Sequence, residues 1–267
     1  MPRVNNGALV GLLAVIAGLT GCDTAPAVPD TAPSETVRAQ RLGLMTSLPI
    51  YWPLGAEIAD LAAGVPPTWQ KAALAPDWEL YPLDTLSPVP GLSPDAPEVD
   101  PLAGLTRIAV IQPRGLSPAD NVALDTWVRA GGRLLLVLDP ALTGEYDLPL
   151  GDPRRPVDAA LVPPVVARWG MAISFDEAQA AADRTARLGA APLPLALAGQ
   201  ISLPDPAAAD CTLLADGAAA RCAVGKGQVT VIADAAVFEH DELAGEGGAI
   251  LRQVVSAAPV SYTHLRA

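Results

Sequence analysis

Lysine is almost missing from this chain of 267 residues, which has only Lys71 and Lys226, and Lys and Arg together number 17 against 29 acidic residues. With a formal charge of −12 and no cluster of basic side chains, the chain cannot neutralise a phosphate backbone, and nucleic acid is excluded as a partner. Histidine occurs twice and cysteine three times, which leaves few groups for nucleophilic or metal chemistry. There is no Gly-x-Ser-x-Gly elbow and no HExxH pair. Gly225-Lys226-Gly227 precedes a strand-like run instead of following one, the wrong order for a phosphate loop, so it reads as a turn. The apolar run over residues 8–19 is shorter than the roughly 20 residues that a membrane-spanning helix requires.

What is present begins at the N-terminus. Arg3, the apolar run and small residues before Cys22 have the three-part layout of a secretion signal over residues 1–21. Leu19-Thr20-Gly21-Cys22 resembles the lipobox of bacterial lipoproteins, which implies cleavage before Cys22 and a diacylglyceryl group on its sulfur. The competing reading is an ordinary cleaved signal followed by an incidental cysteine. On the lipobox reading the partner is membrane lipid, held through acylated Cys22. Each buried CH₂ contributes about 0.8 kcal/mol, so two or three chains anchor stably. Asp23, next in the chain, points to the periplasmic side of the inner membrane. Residues 22–36, rich in Pro, Ala, Thr and Asp, cannot bury a core and read as a tether. Loss of Arg3 takes the charge from −12 to −13 and leaves about 246 residues, enough for one large domain, expected over 37–258.

With Cys22 set aside, Cys211 and Cys222 form an even pair in an oxidising compartment. The apolar stretch and Asp216-Gly217 between them predict a hairpin closed by a Cys211–Cys222 disulfide. Runs of β-branched and leucine residues predict strands over 41–48, 78–83, 107–112, 133–138, 171–175 and 228–233. Helices are predicted over 53–63, 118–130, 157–169 and 247–256, the second opened by Ser117-Pro118 and closed by Gly131-Gly132. An Ala-rich helix or loop should fill the region before Cys211, and the Pro-rich stretch 87–101 is a surface loop. Strands without alternation, separated by a helix, make a βαβ unit in a parallel sheet covered on both faces. The fold class is α/β with a mostly parallel sheet and a late β-hairpin. The last seven residues, 261–267, resemble translated sequencing-adapter read-through, so the tail over 259–267, including His264, is set apart.

Three passages carry a resemblance to a family: Leu44-Met45-Thr46-Ser47-Leu48-Pro49, the stretch from Asp125 to Leu134 with its Gly131-Gly132-Arg133, and Gly225-Lys226-Gly227 running on to Asp234. Together they resemble the gliding-protein-G-type and DUF4350 domains that accompany ABC transporters. The resemblance implies a flavodoxin-like, glutamine-amidotransferase-like sandwich, and a non-enzymatic role beside transporter or other envelope proteins. The amidotransferase nucleophile is missing, since Asp139-Pro140-Ala141 stands where those enzymes place a cysteine.

Ligands of open parallel sheets bind beyond the strand carboxyl ends, which selects Thr46, Ser47, Arg114, Asp139 and Asp234 as candidates for a small polar ligand or a cation. The plainer reading makes both aspartates turn or helix caps. Glu239-His240-Asp241-Glu242 is the densest set of potential metal ligands, but consecutive residues diverge and a solvated first helical turn explains them, so neither metal nor cofactor is expected. The alternative function is a divergent hydrolase working at the strand carboxyl ends. It would have to pair Ser47 with His240, and nothing in the sequence supports that pairing. The tryptophans at 52, 69, 78, 127 and 169 read as core or cleft anchors.

Overall fold

A computed structural model describes residues 39–93 and 95–257; the signal, Cys22, the tether and the tail with His264 lie outside the described residues. The chain opens with β1 (Gln40–Thr46), passes through α1 (Ile58–Ala63) and α2 (Trp69–Leu74), and returns as β2 (Trp78–Pro82). Next come β3 (Arg107–Ile111), α3 (Pro118–Ala130), β4 (Arg133–Val137), α4 (Pro164–Arg168) and β5 (Ala172–Ser174). Six strands follow, β6 (Arg184–Leu188), β7 (Ala191–Leu195), β8 (Gln200–Ser202), β9 (Asp210–Leu214), β10 (Ala219–Val224) and β11 (Gly227–Ile232). Two helices, α5 (Ala236–Glu239) and α6 (Ala249–Ala257), complete the order. Among the described residues no helix is long and apolar enough to cross a membrane.

The fold is mixed α/β around a mostly parallel central sheet of order β2-β1-β3-β4-β11-β10-β9. The five strands from β2 to β11 are parallel, and β10 and β9 add an antiparallel edge. The sheet is open, with β2 and β9 as its edges. Both β3 and β4 are buried along their length after the first residue, because each face of the sheet is covered. Ile108, Val110, Leu134 and Leu136 pack with Leu124, Val128, Val166 and Trp169 on the α3–α4 side. Their alternates Ala109, Ile111, Leu135 and Val137 pack with Phe238, Leu251, Val254 and the β7 residues Leu193 and Leu195. The period of two thus splits one apolar run between two cores.

Helix α3 follows its caps. Ser117 accepts from the Asp120 N–H at 3.1 Å and Asp120 accepts from the Ser117 N–H at 3.1 Å, a reciprocal capping box with Pro118 in the first turn. Asp120 also accepts from Thr85 Oγ1 and from the Leu86 and Ser87 N–H groups, fastening the loop after β2 to the helix start. Its burial works against the charged form, but these hydrogen bonds outweigh it and hold the carboxyl well below the usual range. At the other end, Gly131 turns the chain with φ 126°.

The chain then passes so close to α3 that a Cβ on Gly227 would sit 2.0 Å from the Val128 carbonyl oxygen and 2.4 Å from that of Gly132. Both neighbours are backbone and cannot swing aside. Gly227→Ala is therefore expected to lower stability by about 1–3 kcal/mol, read as a lower urea midpoint.

Three expectations are corrected. The helix expected over 53–63 is confined to α1, with turns preceding it. The helix expected over 157–169 shrinks to α4, because Pro164 bars Pro163 from helical angles, and Val157 is held by side chains of Ser47 and Gln112. Where an Ala-rich helix or loop was expected, the hairpin β6–β7 and strand β8 form, the latter pairing with β5 in a small separate sheet. In β9 and β10, Cys211 and Cys222 are ladder partners joined by a disulfide. The turn between these strands places Ala215, Asp216 and Gly217 all at positive φ.

Candidate functional site

The parallel strands β1, β3, β4 and β11 end side by side, and the segments leaving them build the site. Gln112 is its keystone. This residue is fully buried, has φ 45°, and donates from Nε2 to the Asp139 and Val157 carbonyls at 3.0 Å each, while its Oε1 accepts the Asp139 N–H at 2.8 Å. Its own carbonyl accepts from Ser47 Oγ at 2.6 Å. One residue thereby ties the ends of β1, β3 and β4 together, its carbonyl holding Ser47 and its side chain holding Asp139. Gln112→Leu keeps the bulk but strands the buried Asp139 N–H and the Val157 carbonyl, while the Asp139 carbonyl keeps the Ala160 N–H. A loss of about 2 kcal/mol is expected, measured by chemical unfolding.

Asp139 and Asp234 are 2% and 1% exposed, and every carboxylate oxygen accepts a backbone N–H. Asp139 takes those of Ala141 and Ala235, each at 2.7 Å; Asp234 takes those of Ala236 and Ala196, each at 2.8 Å. Each aspartate thus closes its own turn at the residue two ahead and reaches one segment distant in sequence. Burial pushes Asp139 up to about 7, helped by the charges of Asp234 and Glu239 and opposed by its two backbone donors. Burial likewise pushes Asp234 up to about 6 against its own two donors.

Each of the five selected residues has a partner within the chain. Thr46 accepts the Leu48 N–H, Ser47 serves Gln112, and Arg114 lies exposed with its guanidinium on the Arg155 carbonyl. The acidic stretch 239–242 is corrected too, since α5 ends at Glu239 and His240 is extended, so it is not a first helical turn. Among the described residues no group of three His, Cys, Asp or Glu side chains is arranged to hold a metal ion. Trp78 and Trp169 are buried, whereas Trp52 is about half exposed.

A different set meets around Glu239, one that no motif announced. Glu239 accepts the Thr143 and Gly144 N–H groups at 3.1 and 3.0 Å and the Tyr146 hydroxyl at 2.6 Å, fixing the loop after β4 against the end of α5. A Cβ on Gly144 would lie 2.6 Å from Glu239 Oε1, so glycine gives the carboxylate its seat. Burial and the Glu239 hydrogen bond push the Tyr146 phenol well up, keeping it a neutral donor. So fixed, Thr143 Oγ1 stands 2.8 Å from His240 Nε2 and 3.4 Å from Glu239 Oε2, and His240 Nδ1 stands 3.6 Å from Glu242 Oε1. Thr143, Asp183, Leu197, His240 and Glu242 line a cavity of about 180 Å³. A hydroxyl, an imidazole and a carboxylate in sequence, opening on a cavity, form the constellation of an activated nucleophile.

No family model matches the chain, and no curated protein sequence does. Among solved structures it is similar to the exo-β-1,4-mannosidase Op5Man5 from Opitutaceae bacterium strain TAV5, with 15% identity, TM-score 0.45, and coverage of 84% of this chain and 36% of that one. A β-galactosidase from Rahnella sp. R3 follows with 12% identity, TM-score 0.42, and coverage of 83% and 32%. Gan42B, a GH42 β-galactosidase, has 14% identity, TM-score 0.42, and coverage of 84% and 31%. The chain spans about a third of the length of these proteins. They are glycosidases, not gliding-protein-G-type or DUF4350 domains. The expected kinship, its amidotransferase label and the non-enzymatic transport role drawn from it are corrected accordingly.

Proposed function

We propose that this chain is a hydrolase working at the carboxyl ends of its parallel strands, with Thr143 as nucleophile, His240 as general base and Glu242 as the group steadying the imidazolium. The observation that carries the reading is the 2.8 Å approach of Thr143 Oγ1 to His240 Nε2 at the wall of the cavity. Its setting supports it: the strand order β2-β1-β3-β4-β11 is the 2-1-3-4-5 order of flavodoxin-like sheets, whose ligands lie beyond the strand carboxyl ends.

In this mechanism His240 carries its proton on Nδ1, facing Glu242, so that Nε2 accepts the Thr143 proton as the hydroxyl oxygen attacks a substrate carbonyl. Collapse of the tetrahedral adduct breaks the ester C–O bond, and His240 returns the proton to the leaving alcohol. Water, deprotonated by the same imidazole, then releases the acid and restores Thr143. The Thr143 and Gly144 N–H groups are already occupied by Glu239 and do not form an oxyanion hole, so the activity is that of a modest hydrolase. Asp139 and Asp234 are sealed from substrate and serve the scaffold.

The test is covalent trapping. A small fluorophosphonate should phosphonylate Thr143 with loss of fluoride, giving one adduct on its peptide by mass spectrometry and none in His240→Ala. Absence of label from Thr143, or labelling indifferent to His240, overturns the reading.

The enzyme is further proposed to act in the cell envelope on the periplasmic side, held to membrane lipid through Cys22. The lipobox-like Leu19-Thr20-Gly21-Cys22 supports this, and the Cys211–Cys222 disulfide suits an oxidising compartment. Cys22→Ser should move the protein from the membrane to the soluble fraction of a bacterial host. Retention in the membrane fraction counts against the anchor.

A further inference from the structure

The cavity beside Thr143 and His240 is small and unevenly charged. Ala182, Ala196, Leu197 and Leu243 give it a short apolar wall, and at about 180 Å³ it accommodates a small acyl group. Two carboxylates, Asp183 and Glu242, also line it, and neither Lys nor Arg does. Asp183 is exposed and has no hydrogen-bond or ion-pair partner among the described residues, while Glu242 keeps most of its side chain in solvent, at 68%. The adjacent cation, Arg184, is engaged by Asp216 at 3.7 Å. Glu239 adds a further carboxylate behind Thr143.

A leaving group that departs through this cavity would meet the two carboxylates that line it. Resting on the hydrolase reading above, we infer that the site selects esters of short acids whose alcohol carries a positive charge, with Asp183 as the specificity-determining residue. A cationic alcohol gains from both carboxylates in the bound and transition states, and an anionic one is repelled. Exposed charge pairs are weak and screened, so the preference over a neutral isostere is about 3- to 10-fold in kcat/KM at low salt. It should shrink as the Debye length falls toward about 3 Å at 1 M salt.

The experiment compares acetylcholine with its uncharged isostere 3,3-dimethylbutyl acetate, using the full chain at low and high ionic strength. The expected result is a ratio of about 3 to 10 that falls toward one in salt and in Asp183→Asn, and drops below one in Asp183→Lys. Asp183 is exposed, so both variants should fold, and a ratio is insensitive to the fraction active. Equal rates for the two esters in the unaltered chain, or a preference untouched by salt and by both variants, overturns the specificity while leaving the hydrolase intact. Hydrolysis of neither ester, together with absence of fluorophosphonate label, overturns the hydrolase reading and this inference with it.

Discussion

Thr143→Val is expected to bring hydrolysis of p-nitrophenyl acetate down to the uncatalysed background, while leaving the unfolding midpoint nearly unchanged. Valine has the shape of threonine, and the backbone N–H that Thr143 gives to Glu239 survives the substitution. What disappears is the hydroxyl, and with it the 2.8 Å approach to His240. His240→Gln retains a polar side chain beside Thr143 but cannot accept a proton at neutral pH. A loss of about 10²- to 10⁴-fold in kcat is expected from it, the usual share of general base catalysis. Glu242→Gln should cost much less, about 2- to 5-fold, because that carboxylate is solvated and its link to Nδ1 is long, at 3.6 Å. The ranking matters more than any single value. If Thr143→Val kept its activity, the nucleophile would have to lie elsewhere.

The fold was legible where local chemistry and long-range packing agree. Residues 107–138 show this best. Two runs buried after their first residue, a capping serine followed by proline and a glycine pair at the helix end specify strand, helix and strand without further information. Legibility failed where alanine and proline dominate. In the stretch that forms β6, β7 and β8, Ala186, Leu188, Leu193 and Leu195 are buried against the main core, but alanine favours no strand and Pro192 and Pro194 argue against one. Packing onto α6 and α5 decides the matter, and a single-sequence pattern does not carry that contact.

The candidate site divides in the same way. Asp139 and Asp234 were found by the rule that ligands lie beyond strand carboxyl ends, and both do lie there. The rule is silent on whether such a residue faces a ligand or its own turn, and all their oxygens are taken by backbone N–H groups. Thr143 was invisible, because Leu142-Thr143-Gly144 has no motif and its partner His240 lies 97 residues away. The signal that existed was chemical scarcity: with two histidines in the chain and His264 in the set-apart tail, His240 was the one imidazole to follow. Gln112 left no trace beyond its place at the end of a strand.

Asp139→Ala is expected to cost about 2–6 kcal/mol at neutral pH, since it leaves the N–H groups of half-buried Ala141 and buried Ala235 unpartnered, at about 1–3 kcal/mol each. Asp139→Asn should cost less than alanine, because its remaining oxygen still accepts one of them. The pH dependence separates charge from hydrogen bonding. Asp139 is raised to about 7 and Asp234 to about 6 from the ordinary 3.8, so between those limits the folded chain binds more protons than the unfolded one. Stability from these two groups is fully present below pH 3.8 and is lost as pH rises to about 7. Asp120 and Asp125 are shifted the other way, so their contribution fades only in stronger acid. The unaltered chain should therefore show a higher urea midpoint at pH 5 than at pH 8. In Asp139→Asn that difference should shrink, because one of the two raised carboxyls no longer titrates. Equal midpoints at the two pH values in the unaltered chain would show that the backbone donors, and not burial, set the protonation of the pair.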